Sequence, residues 1–143
     1  MPEIIECAQA LRQTHKRTGA IGFCFGGWGV FRLGARGQGL VDCISTAHPS
    51  HLEEDEIRSA GVPTQILAPE IDPMFTEELK AYSNRVIPTL GIAYDYQFFP
   101  GVAHAFATRG DPANLKEQKA LERAKNAAVA WFAQWLSAEQ PGK

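Results

Sequence analysis

Apolar positions along the 143-residue chain fall into two spacings, and the switches between them mark the elements. Residues 4–16 mix polar and apolar positions as a short helix does. The apolar run "TGAIGFC" predicts a strand over 18–23 that leads into Cys24. "FGGWGVFRLGAR" follows with small and apolar residues suited to a helix packed closely on a sheet, although its glycines lower the propensity. "LVDCISTAH" predicts a second strand over 40–48, stopped by Pro49, and "HLEEDEIRSAG" a charged helix that ends at Gly61. The third strand is "PTQILAPE", residues 63–70. Asp72-Pro73 then makes a turn, and "MFTEELKAYSNRV" an amphipathic helix. The fourth strand is "YDYQFFPG", 94–101. A last helix over 115–136 gathers Leu121, Ala124, Ala128, Trp131 and Trp135 on one apolar face. Strands alternating with helices predict an α/β fold, a mainly parallel sheet covered on both faces. Residues 137–143, "SAEQPGK", read as a flexible tail.

Composition narrows the function classes. With 21% charged residues, a formal net charge of -2 and no run of lysine or arginine, nucleic acid is not an expected partner. No apolar run approaches the roughly 20 residues of a membrane span, so no membrane partner is expected either. The start, "MPEIIECAQALRQTHKR", carries acids and lacks the apolar core of a signal peptide. Cysteines at 7, 24 and 43 include no CxxC pair, which argues against a disulfide framework or a zinc–thiolate cluster and fits a reducing cytoplasm. The four histidines are too scattered to predict a metal site.

In an open parallel sheet, chemistry collects beyond the C-terminal ends of the strands. The predicted elements put Cys24 at the end of the first strand, Asp72 just after the third and His104 just after the fourth. Those residue types supply a nucleophile, a carboxylate that orients an imidazole, and an imidazole that exchanges the thiol proton. "GFCFGG" fits the same reading. A nucleophile on a strand-to-helix turn leaves little room for side chains two residues before or after it, and Gly22 and Gly26 hold those positions, with Gly27 next. The Phe25 backbone N–H, at the start of the following helix, then faces a developing oxyanion. Each residue also has a plain structural reading: Cys24 as core, the glycines as an ordinary turn, Asp72 as a turn residue and His104 as an exposed or capping residue. Their joint placement at strand ends brings the chemical reading level with the structural one and leaves both open. His48 ends the second strand on the same rim, and a structural role is the simpler reading for it. Cys43 reads as core, and Cys7 has no argument for chemistry.

"GFCFGG", "APEIDPMF" and "FFPGVAHAF" together resemble the dienelactone hydrolase family of α/β hydrolases, over residues 18–136. The resemblance implies a Cys-Asp-His triad at Cys24, Asp72 and His104, hydrolysis of small lactones or esters, and no metal or organic cofactor. It also implies that Arg109, shortly after the histidine, pairs with a substrate carboxylate, although an arginine there also suits a surface role. Trp28 and Phe25 would line the pocket, with helix-to-sheet packing the other reading for Trp28.

A complete member of that family is longer, with further strands ahead of the nucleophile strand. The chain therefore resembles the C-terminal part of the family domain. Residues 1–17 are expected to form a helix and linker, 18–136 a partial domain, and 137–143 a tail. The strand entering Cys24 would become an exposed apolar edge, open to a second copy, another chain or the remainder of a parent protein. Two functions follow: a cysteine hydrolase of esters or lactones, or a non-catalytic association module that uses that edge. A redox role for Cys24 is disfavoured by the lack of a nearby resolving cysteine.

Overall fold

The computed structural model describes residues 1–137. Four parallel strands, β1 (Gly19–Phe23), β2 (Cys43–Ala47), β3 (Thr64–Ile71) and β4 (Tyr94–Ala103), lie side by side in chain order. Helices α1 (Pro2–Thr14), α2 (Gly26–Leu33), α3 (Glu54–Arg58) and α4 (Glu77–Val86) cover one face, and α5 (Leu115–Leu136) covers the other. Each sequence-predicted strand and helix is present. The expected tail lies outside the described residues, apart from Ser137.

Both central strands are buried over most of their length, as a parallel sheet between helices requires. Alternation sorts their side chains. Ile44, Ile66 and Ala68 enter the larger core beneath α2, α3 and α4, while Ala47 and Leu67 face the smaller core under α5 with Phe99, Val102 and Phe106. The α5 side also buries a polar chain. Ser45 donates to Gln65 at 2.7 Å, and the Gln65 amide donates to Asp95 at 2.8 Å and to the Ala127 carbonyl at 3.2 Å. Every step of that chain is satisfied, which is the condition for tolerating it in a core. The Trp131 indole N–H reaches the Ile44 carbonyl at 3.0 Å and pins α5 across the sheet.

Element ends differ from the sequence reading where backbone hydrogen bonding overrides composition. Helix α1 begins at Pro2, whose missing N–H costs nothing in a first turn, and it stops at Thr14. It is docked rather than a linker: Ala8 is buried, and Arg12 pairs with Asp42 at 2.6 Å. Strand β2 is shorter than residues 40–48, because Leu40 and Val41 enter the core from a loop. Helix α3 covers only five of the eleven residues expected of it. Strand β4 runs past Gly101 to Ala103. Its register with β3 shifts between the Pro69↔Phe99 and Ile71↔Ala103 pairs, and Gly101, at φ 73°, absorbs the bulge.

Strand β1 is the sheet edge expected from the sequence. Among the described residues it pairs only with β2, and Ile21 and Phe23 remain 43% and 36% exposed. At its C-terminal end the chain turns directly into α2. A Cβ on Gly22 would meet the Gly26 carbonyl, and one on Gly27 would meet Pro49 and, at 2.6 Å, the Thr46 hydroxyl. The expected crowding at Gly26 is not found: a Cβ there meets nothing within 4 Å, because that position opens outward from the first turn of α2. The glycines are therefore not equivalent. Gly22→Ala and Gly27→Ala are each expected to cost about 1–3 kcal/mol in urea unfolding. Gly26→Ala should leave stability unchanged or raise it by up to about 1 kcal/mol. Equal losses at all three positions would contradict this packing.

Candidate functional site

Each strand hands one chemically capable side chain to the same rim, at the residue after its last. Cys24 follows β1, His48 follows β2, Asp72 follows β3 and His104 follows β4. Register sets their levels. Phe23 lies beside Ala47 and Ala47 beside Leu67, so Cys24 and His48 leave the sheet as neighbours. Strands β3 and β4 run further, to the Ile71↔Ala103 pair, before releasing Asp72 and His104. The backbone is strained here. Cys24, His48 and Ala105, next to His104, have φ of 52°, 39° and 74°, in the left-handed region that non-glycine residues seldom occupy.

The Cys24 turn is tied down on several sides. Its carbonyl accepts from Gly27 N–H at 3.0 Å and from Ser50 N–H at 2.8 Å, while its own N–H reaches the Ala47 carbonyl at 3.4 Å. The thiol is partly exposed, unlike the buried Cys43 and the exposed Cys7. Phe25 is the N-cap of α2, and the residue is 58% exposed.

Asp72 and His104 form a joined pair. The His104 Nδ1 lies 3.0 Å from each Asp72 carboxylate oxygen, so Nδ1–H donates to the carboxylate and Nε2 is left with its lone pair. The Asp72 side chain is fully buried, and Oδ1 also accepts from Met74 N–H at 2.8 Å and Phe75 N–H at 3.1 Å. Upstream, the buried Lys80 ammonium donates to the Pro69 and Glu70 carbonyls at 2.6 and 3.1 Å and pairs with Glu77, which fixes the end of β3. His104 is held by its N–H to the Ile71 carbonyl at 3.0 Å, and its side chain is one-quarter exposed.

The residue that sequence reasoning set aside is His48. It is fully buried, and its Nδ1 is 3.3 Å from the Cys24 sulfur, the nearest polar contact of the thiol. Its Nε2 accepts from Ala107 N–H at 3.4 Å, and its ring meets His104 edge-on at a centroid distance of 5.1 Å. The sulfur and one ring nitrogen of each histidine all lie within 4.8 Å of one another. The signal was available: the placement that singled out Cys24, Asp72 and His104 applies equally to the residue that closes β2.

Trp28 stacks on Phe25 at 5.2 Å and carries the Arg32 guanidinium 4.7 Å over its ring, so the two aromatics form one wall beside the elbow. The Phe25 ring also meets His51 edge-on at 5.6 Å. Arg109 is exposed on the turn after His104, its N–H bonded to the Ala105 carbonyl at 2.8 Å.

Burial lowers the pKa of His48 from 6.5 to about 4; the positive charge His104 can carry adds to this, while a backbone hydrogen bond and, less strongly, the Asp72 carboxylate oppose it. His48 is therefore neutral near pH 7. Between about pH 6.5 and 4 the unfolded chain binds a proton here that the folded chain does not. Stability accordingly falls as pH drops through that window, and this contribution levels off below it. His48→Asn should flatten that part of a melting-temperature profile between pH 7 and 4. An unchanged slope would contradict the burial of a neutral imidazole.

The profile of the Dienelactone hydrolase family matches residues 2–136, and so includes α1, which the sequence reading left outside the domain. Hydrolase tropI of Talaromyces stipitatus is 32% identical over 143 residues, covering 95% of this chain and 56% of that protein. Hydrolase pyvD of Aspergillus violaceofuscus is 33% identical over 121 residues, covering 85% of this chain and 49% of that protein. The chain thus spans about half the length of these curated relatives. Among solved structures, a putative dienelactone hydrolase from Klebsiella pneumoniae superposes with a TM-score of 0.69 at 15% identity, over 82% of this chain and 52% of that one. A puromycin-hydrolyzing peptidase from Mycobacterium tuberculosis gives a TM-score of 0.71 at 16% identity, over 95% of this chain and 25% of that one, a likeness of fold. Among the described residues no helix is long and apolar enough to cross a membrane. A cysteine on a strained strand-to-helix turn, two histidines within reach of it and a family match along almost the whole chain lead to one conclusion: this chain belongs to the dienelactone hydrolase family.

Proposed function

We propose that the chain is the cysteine-bearing, C-terminal part of a dienelactone-hydrolase domain and that it cleaves a small carboxylic ester or lactone. The observation that carries this reading is the meeting of Cys24, on its strained turn, with the Asp72–His104 pair at the same rim.

In the proposed reaction, Cys24 gives its proton to His104 Nε2, and the thiolate attacks the carbonyl carbon. The new C–S bond and the oxyanion form together, with Phe25 N–H donating to the oxyanion. Collapse breaks the C–O bond, and the leaving oxygen takes the proton from His104. Water, deprotonated by His104, then attacks the thioester. The acid is released, and the thiol is restored. Asp72 orients the imidazole and balances its transient charge. These steps use side chains and water alone, without a cofactor. In this reading Arg109, exposed on the turn after His104, pairs with a carboxylate on the substrate, a pairing well suited to guanidinium. Trp28 with Phe25 supplies an apolar wall.

A specific observation also favours the association reading. The unpaired edge of β1 borders an apolar groove of about 460 Å³ lined by Ile21, Phe23, Leu67, Ala128, Val129 and Phe132. Strand and groove together offer a surface that a second copy or the remainder of a parent protein would extend.

The test is pre-steady-state hydrolysis of p-nitrophenyl acetate. The expected result is a burst of nitrophenol matching the protein concentration, absent in Cys24→Ala and slowed about 10²–10⁴-fold in His104→Ala. A folded parent protein that hydrolyses the ester no faster than Cys24→Ala would leave the association reading in place of the enzymatic one.

A further inference from the structure

Of the two imidazoles near the thiol, the one in direct contact is not the one built to take a proton. Neutral imidazole has a single N–H. The Ala107 N–H points at His48 Nε2, so that nitrogen presents its lone pair. The His48 proton is therefore on Nδ1, and Nδ1–H is directed at the Cys24 sulfur 3.3 Å away. His104 is wired in the opposite sense, with Nδ1–H committed to Asp72 and the lone pair on Nε2.

We propose that His48 is a positioning residue for the cysteine: an uncharged, fixed hydrogen-bond donor that holds the Cys24 sulfur and favours its thiolate, leaving proton exchange to His104. This rests on the reading of Cys24 as the nucleophile. Three further features support it. His48 is fully buried, and its backbone is anchored by His48 N–H to the Leu67 carbonyl at 3.1 Å, so the donor does not wander. Its ring sits between the rings of Phe23, Phe106 and His104, at 6.0, 5.5 and 5.1 Å. The ionisable groups facing it are Cys24 from the β1–α2 turn, His104 from the β4 end and, more weakly, Asp72 from the β3 end. With the Asp72 charge already committed to His104, no carboxylate among the described residues is hydrogen-bonded to His48. A neutral donor stabilises a sulfur anion without offering a proton that would quench it. A donor also differs from a metal ligand: a cation approaching the sulfur from this side meets the Nδ1 proton rather than a lone pair.

Two isosteric amides separate this role from mere space filling. The side-chain N–H of His48→Asn falls near the original Nδ1, whereas that of His48→Gln falls near Nε2, beside Ala107. The readout is iodoacetamide alkylation of Cys24, followed by peptide mass spectrometry from pH 5 to 10, with the exposed Cys7 as reference in each sample. The expected result is that Asn stays within about threefold of the parent at pH 7. Gln should react about tenfold more slowly, with its alkylation profile moved to higher pH by about one unit. Matching profiles in all three proteins, or equal losses in Asn and Gln with Cys7 unchanged, would overturn the donor role. The ester burst keeps this separate from the reading beneath it. A split between Asn and Gln without any parent burst retains the donor and removes the hydrolase. A parent burst without that split does the reverse.

Discussion

Parallel register is the constraint on which the rest depends. Because all four strands run the same way, their C-terminal ends share one rim, and one residue after each end suffices to bring a thiol, two imidazoles and a carboxylate together. The β1–β2 pair stops at the Phe23↔Ala47 level, whereas the β3–β4 pair continues to Ile71↔Ala103. That overshoot carries Asp72 and His104 beyond the sheet end at which Cys24 and His48 emerge. The Gly101 bulge and the buried Lys80 ammonium hold it in shape. Slipping either pair by one residue would send its side chains to the opposite face and dissolve the cluster.

Charge is confined to one half of that cluster. Asp72 is buried but saturated with donors: two backbone N–H groups and the His104 imidazole. His48, deeper and with no carboxylate among the described residues hydrogen-bonded to it, keeps to its neutral form. Two chemically identical side chains about 5 Å apart are thus given different duties by burial and by the partner of their second nitrogen.

Much of this was legible in the sequence because apolar runs and strand-stopping residues are local signals. The runs into Cys24 and toward His48, the Asp72-Pro73 turn and the 22-residue last helix all announce themselves. Less legible was anything set by pairing across strands. Composition ends β4 at Gly101, yet the ladder resumes through Ala103 once the bulge is absorbed. The glycine doublet looks uniform in letters, but only Gly27 abuts Pro49 and Thr46, while Gly26 opens outward. His48 read as incidental because its meaning lies in the partner of Ala47 rather than in its own neighbours. The exposed edge at β1 was readable only through the family resemblance, which implies further strands ahead of the one that enters Cys24.

The central claim is that strand-end geometry, rather than exposure, makes Cys24 the reactive sulfur. The chain carries its own comparison, since Cys7 is exposed, Cys24 partly exposed and Cys43 buried. Brief treatment with a limiting activated ester, acid quench and peptide mass spectrometry would locate the trapped thioester. Acyl label should appear on Cys24 well ahead of the more accessible Cys7. Label that follows exposure, with Cys7 first, would contradict that claim.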